Sequence, residues 1–248
     1  MKAIKCLKMK RIPGVMITAL AVFALVSCSK NDDGPYYNYP INQVAQVEII
    51  HAAAGAPALD VSFDNNRLGV STFNFTDRID YLRATPGNRS FKVFNALSAT
   101  STPLLTKDLE FEAGKHYSVF IVDTASKMDV VSLRDSSRAA GRDSVRLRFA
   151  NMSPDAPALD LYVKNDPTPI ATNITYKTAG NFFSYPAGIN VEFEVKRTGQ
   201  STVLAKSDPV NLVSSKIYTV WTGGYINGSG PSGTSIRVSD FTHNPLYY

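Results

Sequence analysis

The pentapeptide Ala-Pro-Ala-Leu-Asp stands at positions 56–60 and stands again at 156–160. The first copy lies within VEIIHAAAGAPALDVSF (47–63), the second within LRFANMSPDAPALDLYV (147–163). Other landmarks keep the same order and almost the same offset. YPAG at 185–188 answers ATPG at 84–87, VLAK at 203–206 answers LLTK at 104–107, and YTV at 218–220 answers YSV at 117–119. Chance can supply one pentapeptide, but several landmarks in register indicate a duplicated unit. A period of roughly 100 residues is domain-sized and too long for a solenoid repeat. The fold must therefore be one that a 248-residue chain can build twice.

Within each copy the apolar residues alternate with polar ones, the period of a strand with one buried face. Val47 and Ile49, then Leu59, Val61 and Phe63, then Phe91 and Val93 follow this rule in the first copy. Val145, Leu147 and Phe149 alternate with Arg146 and Arg148 in the second, which predicts a half-buried strand with both arginines in solvent. Residues 117–122 (YSVFIV) are apolar on both faces apart from Ser118, as a central strand would be. Turn chemistry separates these runs: Asp64-Asn65-Asn66, Pro86-Gly87 and Ala113-Gly114. No stretch carries a sustained helical period. The expectation is an all-β chain of two tandem β-sandwich domains with immunoglobulin-like architecture, with a small barrel as the alternative. The predicted boundaries are 46–134 for the first, a polar linker at 135–143, and 144–248 for the second.

The net charge of +5 suggests nucleic acid only until it is located. Lys2, Lys5, Lys8, Lys10 and Arg11 precede an apolar run at 15–26, with no acid among residues 1–27. Removing those five leaves 21 basic against 21 acidic residues, a neutral body with no field to gather phosphates. The run of about 12 residues is too short to span a bilayer and fits a secretory signal over 1–27. It ends Leu25-Val26-Ser27-Cys28, which resembles a bacterial lipobox. The resemblance implies a diacylglycerol thioether on Cys28 as the first mature residue, followed by a lipid-anchored linker to residue 45. Cys6 lies in the leader, so the mature chain has no partner for a disulfide. Ser29-Lys30-Asn31-Asp32-Asp33 is similar to the acidic export tag of Bacteroidetes-type surface lipoproteins. That similarity implies the outer face of the outer membrane; the alternative is a periplasm-facing lipoprotein.

The two-copy pattern also resembles a family. A strand ending in His or Asn, a Pro-containing loop, APALD, a Gly-terminated turn and then Tyr-(Ser/Thr)-Val is similar to the bacterial domain of unknown function 4397. The second copy has Ser214-Ser215 near where Ala113-Gly114 would align. The resemblance spans both copies and implies a secreted or surface-anchored β-domain with no assigned activity.

Chemistry is sparse. His51, His116 and His243 have no metal-ligand spacing, no catalytic motif is present, and no cofactor is implied. His51 aligns with Asn151, which points to a hydrogen-bonding role at a strand end. Asp60 and Asp160 recur, and the favoured role is bonding local backbone at strand entry. Pro57 and Pro157 fit that entry, where a missing N–H costs little. Trp221 either fills the second domain's core or joins a surface site. With Tyr225 and Asn227 in the Gly-rich stretch 223–234, it is the candidate binding loop. The function expected is a non-enzymatic binding or spacer module at the outer membrane, with a glycan or an envelope protein as partner and no nucleic acid. The alternatives are an accessory part of an outer-membrane uptake complex and a hydrolase of envelope polymers.

Overall fold

In the computed structural model, residues 39–248 form one compact unit. Described are residues 41–69, 73–97, 102–138, 140–228 and 237–243. The leader, Cys28 and the tether as far as residue 40 lie outside the described residues, as does much of the 223–234 stretch. No helix among the described residues is long and apolar enough to cross a membrane.

The fold is all-β, and the duplication is visible strand by strand. The first half contains β1 (Ala45–His51), β2 (Leu59–Phe63), β3 (Asn66–Arg67), β4 (Arg78–Ala84), β5 (Gly87–Asn95), β6 (Leu105–Phe111), β7 (His116–Val122) and β8 (Asp129–Arg134). They form two sheets, β4-β1-β7-β8 and β3-β2-β5-β6. The second half contains β9 (Ser144–Asn151), β10 (Leu159–Val163), β11 (Pro169–Ile174), β12 (Thr178–Ala179), β13 (Phe183–Pro186), β14 (Gly188–Val191), β15 (Phe193–Arg197), β16 (Val203–Lys206), β17 (Val210–Leu212), β18 (Ile217–Gly223) and β19 (Arg237–Thr242). Its sheets are β12-β9-β18-β19, with β13 also on β9, and β11-β10-β15-β16, plus the ribbon β14-β17. In each half the first strand lies parallel to the central one: β1 with β7, β9 with β18.

Each half has its own apolar cluster, to which both of its sheets contribute. Val47, Ile49 and Val119 meet Val61, Phe91 and Val93 in the first. Leu147, Phe149 and Val220 meet Leu161, Phe193 and Val195 in the second. These are the inward positions that the alternation marks. A third cluster joins the halves. Ile50, Ala52, Phe120 and Val122 pack against Ala150, Met152, Trp221 and Phe241. Phe120 and Trp221 meet edge to face, with centroids 5.8 Å apart.

Consequently β1, β7 and β18 are buried along nearly their whole length on both faces, because the second half covers the first. This corrects the expectation for β9. Arg148, predicted to face solvent, is 2% exposed. A period-2 pattern shows that two faces differ, but a polar face can still be covered by another polar face.

Candidate functional site

Among the described residues, a gathering of titratable side chains lies in the same junction, beside the third apolar cluster. The first half supplies Glu48 from β1, Ser118 from β7 and Asp135 just after β8. The second supplies Arg148 from β9, Thr219 from β18 and His243 just after β19. Strand register makes these sets equivalent. Glu48 pairs with Ser118 across β1–β7, and Arg148 pairs with Thr219 across β9–β18. The Asp135 N–H donates to His116 O, and the His243 N–H donates to Ile217 O, both at 2.8 Å.

Hydrogen bonds connect the six. Arg148 Nη2 donates to Asp135 Oδ1 and, at 3.0 Å, to Ser118 Oγ. Arg148 Nε donates to Thr219 Oγ1 at 2.8 Å. The Thr219 hydroxyl is 2.7 Å from His243 Nε2. Since Thr219 Oγ1 already accepts from arginine, its proton goes to Nε2, which leaves the His243 proton on Nδ1. Nδ1 is 2.7 Å from Tyr81 OH and 3.0 Å from Glu48 Oε1. The Tyr81 hydroxyl donates to Asp135 Oδ2 at 2.7 Å, so its oxygen accepts the imidazole N–H. Arg78 closes the edge, donating to Glu48 Oε2 at 3.3 Å and to Thr242 O at 2.8 Å.

Burial sets the electrostatics. It raises Glu48 to about 7, against the opposing pull of its Ser118 hydrogen bond and of Arg78 and Arg148. Burial also lowers His243 to about 3, so its imidazole is neutral at ordinary pH. Tyr81 is pushed up by burial and by Asp135 and Glu48, and stays a donor.

Two chemical readings of this cluster can be tested on its geometry. Thr219, His243 and Glu48 form a hydroxyl–imidazole–carboxylate array, the composition of a nucleophilic triad. Thr219 and Glu48 are fully buried and His243 is 4% exposed, so the array lies closed between two sheets. The ligand atoms of Glu48, Asp135 and His243 also lie within 4.8 Å of one another, as a metal site would need. Here Arg148 and Arg78 already balance two carboxylates, and every ligand atom has a hydrogen-bond partner. A divalent cation would add two uncompensated charges to a buried site, so the donor set does not fit one. The cluster is built as the polar fastening between the halves.

The family comparison finds two matches, the first of which runs on through β9 and most of β10. Residues 45–162 and 150–241 match the domain of unknown function DUF4397. The chain belongs to the DUF4397 family, in two tandem copies. No curated protein matches it. Among solved structures, a streptococcal virulence factor described for α-glucan binding is 13% identical, over 71% of this chain and 92% of that one, with a TM-score of 0.24. A Bacteroides eggerthii protein described as a candidate cell adhesion protein is 11% identical, over 82% and 97%, with a TM-score of 0.21. At these scores neither likeness carries an argument about this chain.

The recurrent residues of the two DUF4397 copies have local roles. His51 Nε2 lies 3.4 Å from Pro57 O, and Asn151 Nδ2 donates to Pro157 O at 3.3 Å. Each prolyl carbonyl is thus held from the end of the first strand of its own copy. Asp60 Oδ1 accepts the Val61 N–H, and Asp160 Oδ1 accepts the Asn173 N–H and the Thr198 hydroxyl. His116 lies edge-on to Tyr81.

The three residues of the candidate binding loop separate. Trp221 fills the junction between the copies, neither the second copy's core nor a surface site. Tyr225 is buried, with its hydroxyl 3.5 Å from Ala54 O of the first copy. Asn227 is exposed, and Asp155 holds this turn through the backbone N–H groups of Ile226 and Asn227. Sequence reasoning missed Glu48, Ser118, Asp135, Arg148 and Thr219. Their signal was a charge inversion at equivalent positions, Glu48 against Arg148.

Proposed function

We propose that this chain is a non-enzymatic binding or spacer module, displayed at the outer membrane by a lipid on Cys28. The observation that carries the reading is the assignment of the titratable cluster. Its acids, bases and hydroxyls are bonded to one another inside the junction, where they fasten two copies into one compact unit. Within the same reading each copy is a two-layer β-sandwich, supported by the apolar cluster that its two sheets share. The leader, the lipobox-like Leu25–Cys28 stretch and the acidic residues after it motivate the anchor and the cell surface.

Mass spectrometry of membrane fractions tests the anchor. A diacylglyceryl adduct on Cys28, lost in Cys28→Ala, is expected, and an unmodified thiol would overturn it. A glycan array and capture from envelope extracts test the binding role with the purified full chain. Retention of a glycan or an envelope protein is expected. Silence in both leaves the spacer role, and turnover of an envelope polymer would refute the non-enzymatic reading.

A further inference from the structure

Two exposed apolar side chains distinguish the second copy from the first at one end of the unit. Ile189 is 79% exposed and Val213 is 55% exposed. Gly188 pairs with Leu212 in the β14–β17 ribbon, as Gly87 pairs with Phe111 between β5 and β6. The Val213 N–H donates to Tyr218 OH at 2.9 Å, as the Glu112 N–H donates to Tyr117 OH at 3.0 Å. By this register Ile189 stands where the first copy has Asn88, and Val213 where it has Glu112. Leu212 is buried in the core, so strand alternation turns Val213 outward, on the same face as Ile189.

The chain enters the unit at this same end. The Gly114 N–H donates to Val44 O in the first copy, and the Ser215 N–H donates to Ser144 O in the second. Each copy's first strand therefore begins beside the turn that leads into its central strand. Across the junction the two copies run the same way. Asp135, bonded to His116 at the start of β7, lies 3.7 Å from His243, bonded to Ile217 at the start of β18. Phe120 meets Trp221 at mid-strand. Lys177, bonded to Asn151 at the end of β9, reaches Asp129, which pairs with Val122 at the end of β7. Val44 and the 213–216 turn thus share one end of the unit, and Ile41–Gln43 lead into it. Cys28 precedes Ile41 by 13 positions. Such a stretch reaches at most roughly 45 Å, which ties the unit near a bilayer without choosing the side that faces it.

We propose that Ile189 and Val213 seat this end of the unit on the headgroup–acyl boundary of the membrane that holds the lipid on Cys28. This deepens the display reading above and rests on its anchor. A lipid-tied chain meets the bilayer at a high effective concentration, so a contact too weak to hold a free protein is enough. Two aliphatic side chains, each worth about tenfold, are of that size. Exposed Lys216 and Asp143 border the pair with opposite charges, so apolar burial carries the contact. A second copy of the chain is the rival occupant, but two side chains fall far short of the roughly 20–30 residues that a stable interface uses on each side. Seated this way, the strand ends near exposed Asn227 face away from the membrane.

The test uses the lipidated full chain in vesicles of phosphatidylethanolamine and phosphatidylglycerol. A polarity-sensitive fluorophore is attached through Ile189→Cys or through Leu97→Cys, which is also 79% exposed but lies past the far end of β5. A blue shift and quenching by a lipid-borne quencher are expected at 189 and not at 97. Ile189→Asn with Val213→Glu installs the first copy's residues. Read from a label at Lys216→Cys, that pair should lower the ratio of seated to unseated chain by at least about tenfold. Unchanged melting temperatures show that the variants fold. Quenching at 216 that survives the double change, or labels at 189 and 97 that behave alike in a chain that floats with the vesicles, would overturn the seating and leave the anchor standing. Shielding at 189 that grows with protein concentration and ignores the lipid quencher would overturn it in favour of a second copy. An unmodified Cys28 and a chain that does not float overturn the anchor, and the seating with it.

Discussion

The two copies present equivalent faces to each other, yet the faces are not alike. Where the first half has Glu48, Ser118 and Asp135, the second has Arg148, Thr219 and His243. The contacts are reciprocal: Asp135 binds Arg148, and His243 lies against Glu48. Phe120 meets its own counterpart, Trp221. This is the geometry of an isologous interface whose two sides have become complementary in charge. A pairing of two first halves would bury acid against acid, and a pairing of two second halves would bury base against base. Complementarity of this kind selects the intramolecular pairing by making the alternatives costly. The apolar members supply adhesion, and the polar members decide which faces adhere.

The halves also differ in their outer hairpins. In the first, β5 and β6 pair without interruption from Gly87↔Phe111 to Val93↔Leu105. In the second, the same ribbon is split into β14/β17 and β15/β16. The cause is one extra residue on each strand. Gly87 to Phe91 is four steps, but Gly188 to Phe193 is five; Lys107 to Phe111 is four steps, but Ser207 to Leu212 is five. Matched insertions keep the register on either side and bend the ribbon between them. Glu192 falls at this break, and a hollow of about 310 Å³ lined by Lys164, Asn190 and Glu192 opens there.

The sharpest way to break the comparison is to remove the base from the basic side. Arg148→Ala leaves Asp135 buried without its cation and is expected to destabilise the chain by about 3–5 kcal/mol. Chemical denaturation should show it, together with partial separation of a single unfolding transition into two. A loss below about 1 kcal/mol would mean that the junction is not held by this pair.

The acidic side is expected to answer through pH. Glu48 has a folded pKa of about 7 against an ordinary 4.5. The folded state therefore holds the extra proton between those values, and stability falls as pH rises from 4.5 to 7, by roughly 3 kcal/mol from this group. His243 acts in the opposite sense. Its folded value of about 3 lies below the ordinary 6.5, so stability falls as pH drops from 6.5 toward 3. His51, lowered to about 4 by burial, adds to the same acid-side loss over 4 to 6.5. Thermal unfolding across pH checks both signs: Glu48→Gln should flatten the first slope and His243→Gln the second.

A smaller effect sharpens the apolar side. Gly223 corresponds to Val122 of the first half. A Cβ on Gly223 would lie 2.7 Å from Trp221 Cζ3 and 3.3 Å from Phe75 Cε2. Gly223→Ala is expected to cost about 1–3 kcal/mol by overpacking, read from the melting temperature. The smallest change concerns the rim. Lys177 reaches across the junction to Asp129 at 2.8 Å, and Lys107 of the first half holds the other carboxylate oxygen at 2.7 Å. Burial would raise Asp129, but the two lysine hydrogen bonds outweigh it and hold it at about 2. Both partners are a third exposed, so Lys177→Met should cost at most about 1 kcal/mol and less in high salt.

The duplication and many of the strands, though not β4, β11 or β19, were legible in the chain itself, because alternation reports which side chains face a core. The run at 117–122 even announces cover on both faces. The site was legible only in fragments. Arg146 and Arg148 look alike along β9, yet only Arg148 lies opposite Asp135. Asp135 reads as part of a polar linker, and His243 as a histidine without metal-ligand spacing. All three acquire their roles from contacts that cross between copies.

Local pattern alone determined that this chain makes two all-β units with their own apolar cores, since strand period and turn chemistry act over a few residues. Only the tertiary structure decided that one face of each unit meets the other, that acid faces base there, and that Trp221 closes the junction. Such pairing depends on which surfaces approach, and sequence spacing within one strand carries no record of the strand it will face.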